Sequence, residues 1–214
     1  MSFLEFFVQR RAQILEVTGQ HLVLVAISTL LAVLIGVPLG ILLSRRAALA
    51  RPVLAVAGIL QTIPSMALFG FLIPLPFVGG IGARTAIIAL VAYALLPVLS
   101  GTCTGLKGVA PAVVEAGTGM GLTPRQLLFW VELPLALPVI MAGIRVATVV
   151  SVGIATIAAA IGAGGLGTFI FRGVAMLDNQ LILAGALPAA AMAVGADVLL
   201  GFVERRLSPQ RRRS

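Results

Sequence analysis

The chain has 214 residues, which suits one domain, but its composition excludes most kinds of domain. Hydrophobic residues make up 60% of the sequence and charged residues only 10%, whereas a soluble domain carries about 25% charged residues. A soluble fold of this size could not bury so much apolar surface, and a disordered chain would be richer in charge. The net charge of +8 comes from short basic clusters between apolar runs, a pattern that does not indicate nucleic-acid binding. Composition therefore predicts an all-α protein with several membrane-spanning helices.

Five apolar stretches are long enough to cross a bilayer, which takes about 20 helical residues. They cover residues 22–43, 53–75, 85–100 (extendable to 106), 135–161 and 181–203. They lack the alternation with period two that would indicate strands. Together they predict a transmembrane domain over residues 22–206.

Two shorter segments flank this domain. Residues 1–21 carry a short amphipathic pattern, which predicts a helix at the membrane surface, with a contact to a partner as the alternative. Residues 207–214 form a basic tail, which we expect to lie in solvent near anionic headgroups.

The distribution of basic residues between the apolar stretches predicts the orientation in the membrane. Ten of them fall on one side: Arg45, Arg46, Arg51, Lys107, Arg125, Arg205, Arg206, Arg211, Arg212 and Arg213. Four fall on the other: Arg10, Arg11, Arg84 and Arg172. Because basic loops stay in the cytoplasm, we expect the N-terminus outside, and the C-terminus and the loop of residues 107–134 inside.

The loop of residues 107–134, here called the elbow, carries signals for two short helices. Pro111 suits the first turn of a helix, and the glycines near Gly119 and Gly121 end that helix. Thr123 is a good N-cap for a second helix, and Gln126 stands three residues later, as in a capping box. A helical elbow that projects from the membrane suits docking to another protein better than catalysis.

The elbow resembles the signature loop of the permease subunits of bacterial ATP-binding-cassette importers. That signature is Glu-Ala-Ala, a Gly four residues later, and Ile-x-Leu-Pro starting ten residues after the Gly. This chain has Glu115, Ala116 and Gly117, then Gly121, then the sequence VELP over 131–134. Gly117 in place of the second Ala and Val131 in place of the Ile are mild departures. The resemblance implies that the elbow is a coupling helix that binds an ATPase subunit. Its coupling residues would be Glu115, Ala116, Gly117, Gly121, Leu133 and Pro134.

Further stretches are similar to the osmoprotectant branch of this family, which imports glycine betaine, carnitine or choline. They are QTIPS at 61–65, TGLKG at 104–108, ELPLALPVIMAGIR at 132–145 and IGAGGLG at 161–167. The similarity covers residues 22–206 and implies the five-helix fold of type I importer permeases in a bacterial inner membrane. It also implies separate ATPase subunits that hold ATP and Mg, an external solute-binding protein, and a second identical or homologous permease. Branches for methionine and other amino acids share the elbow, so they remain alternative substrate classes.

Several residues inside the predicted spans are candidates for special roles. Arg145 and Asp197 are the charges well within the spans, and we expect them to form an ion pair; the alternative is that each reaches the interface separately. Four residues around a mid-span proline are candidates for a gate or path wall, or for a tolerated kink: Gln61, Thr62, Pro64 and Ser65. The glycine-rich run at 162–167 is expected to mark the outer end of the fourth span.

Other classes of function find less support in the sequence. The pattern GxxxxGK[ST] does not occur, so the chain is not expected to bind ATP itself. One histidine, His21, and one cysteine, Cys103, provide neither a disulfide nor a metal site, and no nucleophile–base set indicates an enzyme. A channel or secondary transporter that works without ATP would leave the elbow unexplained. The sequence therefore predicts a non-catalytic importer permease.

Overall fold

The fold is given by a computed structural model that describes residues 3–76 and 78–207. A short helix, α1 (Phe3–Gln9), precedes the first long helix, α2 (Arg11–Arg45). Because α2 starts at Arg11, only the first part of the predicted surface segment is separate from the first span. Residues 208–214 of the predicted basic tail, including Arg211, Arg212 and Arg213, lie outside the described residues.

The second apolar stretch is divided between two helices, α3 (Ala47–Thr62) and α4 (Ser65–Leu72), which meet at an angle of 101°. Pro64 has no N–H to donate, and a residue before proline is driven out of the helical region. Ile63 accordingly has extended backbone angles, with φ −68° and ψ 128°. The interruption is therefore much larger than the bend that the sequence predicts for a mid-span proline.

The long helices that follow lie where the sequence predicts spans. The third span is α5 (Ala83–Lys107), which takes the longer of the two predicted forms. The elbow contains α6 (Pro111–Gly119) and α7 (Pro124–Leu127), followed by a π-helical turn over Leu128–Glu132. The fourth span is α8 (Leu133–Ala158).

The chain after α8 turns at the predicted glycine-rich run. Gly162, Gly164 and Gly165 all have positive φ, between 76° and 81°, which side chains strongly disfavour. A further helix that the sequence did not indicate, α9 (Gly167–Met176), follows this turn and leads to α10 (Asn179–Leu207), the last span. Within the described residues, four helical segments can cross a membrane by length and composition, and the bent pair α3–α4 can supply a fifth.

The centre of the bundle is α5. In the most apolar 18-residue stretch of α5, 50% of the residues are buried. The corresponding stretch of α10 is only 11% buried, so α10 lies at the periphery. The neighbouring helices approach α5 closely at small residues, as in other membrane bundles. A Cβ on Gly40 of α2 would lie 2.6 Å from the Thr102 Cβ, and one on Gly143 of α8 would lie 2.5 Å from the Pro97 carbonyl oxygen. These contacts pack α2 and α8 closely against α5.

Candidate functional site

The first helix of the elbow begins and ends at the residues that the sequence indicates. Pro111 is the first residue of α6, and α6 ends at Gly119. Gly121 then adopts φ +82°, and the Leu122 N–H returns to the Gly117 carbonyl at 3.1 Å. This hydrogen bond satisfies a carbonyl at the end of the helix. The predicted glycine turn is therefore confirmed.

The capping box at Thr123 is also confirmed. The Gln126 N–H donates to the Thr123 hydroxyl at 3.4 Å, and the Thr123 N–H donates to Gln126 Oε1 at 2.8 Å. Both bonds lie within four residues, so they fix the start of α7 without help from the membrane helices.

The predicted coupling residues occupy different positions in the elbow. Glu115 and Ala116 are exposed, whereas Gly117 is buried against the side chain of Leu127. Gly121 is exposed at the turn. Leu133 and Pro134 are half-buried at the start of α8, where the elbow returns to the bundle. Gly117 and Leu133 therefore pack within their own chain, and the exposed members are free to contact another protein.

The elbow presents large apolar side chains to its surroundings. Met120 at the turn is 75% exposed, and Val113 on α6 is 40% exposed. The π-helical turn places Phe129 (61%) and Trp130 (66%) on one exposed face. Apolar side chains that are exposed together on a segment outside the long helices form a candidate contact surface, because exposure to water would be unfavourable.

An ion pair that the sequence did not indicate joins the elbow to α2. Arg45, the last residue of α2, donates to the carboxylate of Glu132 at the end of the π-helical turn. The Glu132 side chain is only 5% exposed, and the Arg45 side chain is 49% exposed. A cleft of about 320 Å³ beside the pair is also lined by Lys107 and Glu115. The signal in the sequence was Glu132 itself, an acidic residue among the apolar residues of the VELP motif.

The interruption between α3 and α4 is held by two hydrogen bonds to α5. The Tyr93 hydroxyl donates to the Ile63 carbonyl, which precedes Pro64 and has left the helical hydrogen-bond ladder. In return, Gln61 Nε2 donates to the Tyr93 carbonyl at 2.7 Å. That carbonyl lacks a helical donor because Pro97, four residues later, has no N–H. Each proline thus frees a carbonyl, and a side chain from the other helix satisfies it.

The four candidate path residues are therefore not equivalent. Gln61 points to α5, and Ser65 is half-buried at the start of α4. Thr62 and Pro64 are exposed, and the Thr62 hydroxyl donates locally to the Ile59 carbonyl at 2.7 Å. Only Thr62 and Pro64 present much surface to a possible path.

The structure brings Arg145 and Asp197 together. The guanidinium donates from Nε and Nη2 to the two carboxylate oxygens, each at 2.9 Å. Its Nη1 also donates to Glu204 at 3.1 Å, a partner that was not predicted from the sequence. The signal was present, because Glu204 stands seven residues after Asp197 and therefore on the same face of α10. Gly201 between them leaves room for the guanidinium, since a Cβ there would lie 3.3 Å from Arg145 Cζ.

The polar groups described above form hydrogen bonds and ion pairs within and between helices. Among the described residues, no three His, Cys, Asp or Glu side chains lie close enough together to hold a metal ion. The arrangement consists of a projecting contact surface, a broken helix and two charged clusters.

Comparisons with known proteins agree on one family. Residues 23–212 match the family described as the binding-protein-dependent transport system inner membrane component. The chain is 45% identical over 212 residues to the osmoprotectant import permease protein OsmW of Salmonella typhimurium, covering 98% of this chain and 99% of the relative. It is 43% identical over 213 residues to the choline transport system permease protein OpuBD of Bacillus subtilis, covering 99% and 93%. The carnitine transport permease protein OpuCD of Listeria monocytogenes is 42% identical over 209 residues, covering 97% and 92%.

Solved structures show the same architecture. A chain of the MetNI methionine ABC transporter in an inward-facing conformation superimposes with a TM-score of 0.80 at 25% identity, covering 89% of this chain and 94% of that one. A chain of an amino acid ABC transporter with histidines gives a TM-score of 0.74 at 19% identity, covering 96% and 99%, which supports the fold alone.

Proposed function

The chain belongs to the family of inner membrane components of binding-protein-dependent transport systems, and we propose that it imports a compatible solute such as glycine betaine, choline or carnitine. The near full-length relatives named for osmoprotectants, choline and carnitine carry this choice of solute. In this proposal the chain is a non-catalytic permease subunit. ATP and Mg are bound by separate ATPase subunits, and an external binding protein delivers the solute.

The elbow supports coupling to such an ATPase. It carries the family's motif on a segment whose apolar side chains, including Val113 and Met120, lack cover from its own chain. The distribution of basic residues predicts that the elbow lies in the cytoplasm, where an ATPase would be found. We assign contact with the ATPase to Glu115 and Ala116, and the geometry of the turn to Gly117 and Gly121.

The path for the solute requires a second permease copy or a homologous permease. In the described part of the chain, α10 is the least buried long helix. We infer that a bundle of five helices does not enclose a path by itself. We propose that Thr62 and Pro64 contribute to the path wall, because they are exposed at the point where α3 gives way to α4. ATP-driven closure of the two ATPases would move the elbows and alternate the opening of this path.

Uptake into proteoliposomes tests the proposal. The permease is reconstituted with its ATPase and binding protein, and uptake of labelled glycine betaine, choline, carnitine and methionine is measured with and without internal ATP. We expect uptake of at least one of the first three solutes only with ATPase and ATP. Uptake without ATP would contradict the mechanism, and ATP-driven uptake of methionine alone would contradict the substrate class. An ATPase variant that binds but does not hydrolyse ATP provides the control.

A further inference from the structure

The ion pair between Arg45 and Glu132 lies at the junction of three parts of the molecule. Arg45 ends α2, Glu132 ends the π-helical turn of the elbow, and α8 begins at the next residue, Leu133. The cleft beside the pair is also lined by Glu115, which belongs to the motif of the elbow. Displacement of the elbow therefore acts directly on this pair.

The pair is built so that it resists separation. Glu132 is nearly buried, and among the described side chains Arg45 is the cation within ion-pair distance of it. A buried carboxylate whose partner moves away is left without compensation, which is strongly unfavourable. Motion of the elbow should therefore carry the end of α2 with it rather than break the contact.

The π-helical turn is what directs Glu132 inward. The Leu133 N–H bonds to the Leu128 carbonyl, five residues back, so the turn contains one residue more than an α-helical turn. As a result Leu127 and Glu132 are buried, whereas Phe129 and Trp130 between them are exposed. The same local feature thus exposes the aromatic contact surface and buries the carboxylate.

The N-terminal part of α2 contacts the glycine turn that follows α8. The Gly165 N–H donates to Gln20 Oε1 at 3.1 Å, and a Cβ on Gly165 would lie 3.1 Å from His21 Nδ1. From Gln20 to Arg45 the helix rises about 37 Å, which exceeds the hydrocarbon thickness of a bilayer. α2 therefore connects the elbow to a turn on the opposite side of the membrane.

From this geometry we propose that Arg45 and Glu132 are positioning residues that transmit movement of the elbow through α2 to the glycine turn at 162–165. The inference rests on the proposed coupling role of the elbow. It adds a route that leads to the outer side, where the binding protein would dock, besides the direct continuation of the elbow into α8.

The first test compares neutral variants in the complete transporter, reconstituted with ATPase and binding protein. The double variant Arg45→Gln/Glu132→Gln leaves no unpaired buried charge, so it separates transmission from simple charge burial. We expect it to bind the ATPase and keep basal hydrolysis, while stimulation by solute-loaded binding protein falls about fivefold or more. Arg45→Lys should retain stimulation because it keeps the charge. Arg46→Gln is the matched control at a neighbouring exposed arginine, and we expect its stimulation to stay within about twofold of wild type.

Each outcome of this test decides the inference. Stimulation of the double variant within about twofold of wild type would overturn it, and so would loss of the ATPase from the complex, since the pair would then shape the docking surface. If the double variant does not insert into the membrane, Arg45→Gln is compared with Arg45→Lys instead. Equal stimulation of the ATPase in these two variants would overturn the inference. Failure of the proposed function is distinguishable, because the wild-type complex would then show no ATP-dependent uptake.

A second measurement follows the far end of α2. Ile81 is 82% exposed and lies against Gly162 of the glycine turn. Ile81→Cys in a Cys103→Ala background gives a single reporter thiol, whose labelling by a membrane-impermeant maleimide is measured with and without nucleotide trapped on the ATPase. We expect trapping to change the labelling rate with the native pair but not with Arg45→Gln/Glu132→Gln. The same change in both backgrounds, or no change in either, would overturn the route through α2.

Discussion

The elbow and the α3–α4 interruption both break the run of long helices at prolines, yet different contacts stabilise them. The two short helices of the elbow, α6 and α7, are held by bonds between near neighbours, such as Thr123 with Gln126 and Leu122 with Gly117, whereas the long-range pair Arg45–Glu132 lies at the end of the elbow. The α3–α4 interruption is held by Tyr93 and Gln61, which are 32 residues apart. Each side chain donates a hydrogen bond to a backbone carbonyl of the helix segment that carries the other. A locally stabilised segment keeps its shape when it moves as a unit, whereas the interruption keeps its shape only while α5 stays in place.

The largest effect is expected from Gly121→Val. A β-branched residue at φ +82° is strained by about 1–3 kcal/mol, so the turn between α6 and α7 should change its path. If the elbow couples as a preformed unit, stimulation of the ATPase by loaded binding protein should fall about tenfold or more while membrane insertion persists. ATPase assays on the reconstituted complex measure the effect.

Gly119→Ala is the matched control for this variant. Gly119 is the last residue of α6, has no positive φ, and a Cβ there would meet nothing within 4 Å. Its stimulation should therefore match wild type. Equal behaviour of Gly121→Val and Gly119→Ala would show that the shape of the elbow does not matter for coupling.

The same contrast explains how much of the molecule could be predicted from the sequence. The bounds of α6 and the cap of α7 followed from Pro111, Gly121 and Thr123, because these residues act on their own backbone. The spans followed from their hydropathy. The sharp turn at Pro64 could not be predicted in size, because it depends on a hydroxyl and an amide whose partners lie in another helix.

Charged residues show the same limit. The sequence indicated Arg145 and Asp197, since charges inside apolar spans need partners. It did not indicate that Arg45 pairs with Glu132, because a basic residue at the end of a span is already explained by membrane orientation. Where one physical role suffices to explain a residue, a second role becomes visible only in three dimensions.

A smaller effect is expected from Tyr93→Phe, which removes the donor to the Ile63 carbonyl and keeps the packing of the ring. Loss of the donor to this half-buried carbonyl should cost about 1 kcal/mol, so the thermal midpoint of unfolding should fall and solute uptake should decrease. Thermal unfolding in detergent and uptake in proteoliposomes measure the two effects.

Thr62→Val serves as the control for the thermal midpoint of Tyr93→Phe, but not for uptake, because Thr62 belongs to the proposed path wall. It removes a hydroxyl next to the same interruption, but that hydroxyl is exposed and bonds only within its own helix. We expect its free energy of unfolding to change by about 0.5 kcal/mol or less. An unchanged midpoint and unchanged uptake for Tyr93→Phe would mean that Pro64 alone maintains the interruption and that the contrast with the elbow does not hold.

The smallest effect is expected from Thr123→Ala, which removes the hydroxyl acceptor of the capping box. Loss of an N-cap costs about 1 kcal/mol, and here the cost falls on a four-residue helix whose other end is held by the π-helical turn. Stimulation of the ATPase should therefore fall only about twofold to fivefold, and Thr123→Ser, which keeps an acceptor, should restore it. Because the bond is local, the thermal midpoint of the membrane bundle should not change. A lower midpoint for Thr123→Ala would show that the elbow and the bundle unfold together, and the elbow could then not be treated as a separately stabilised unit.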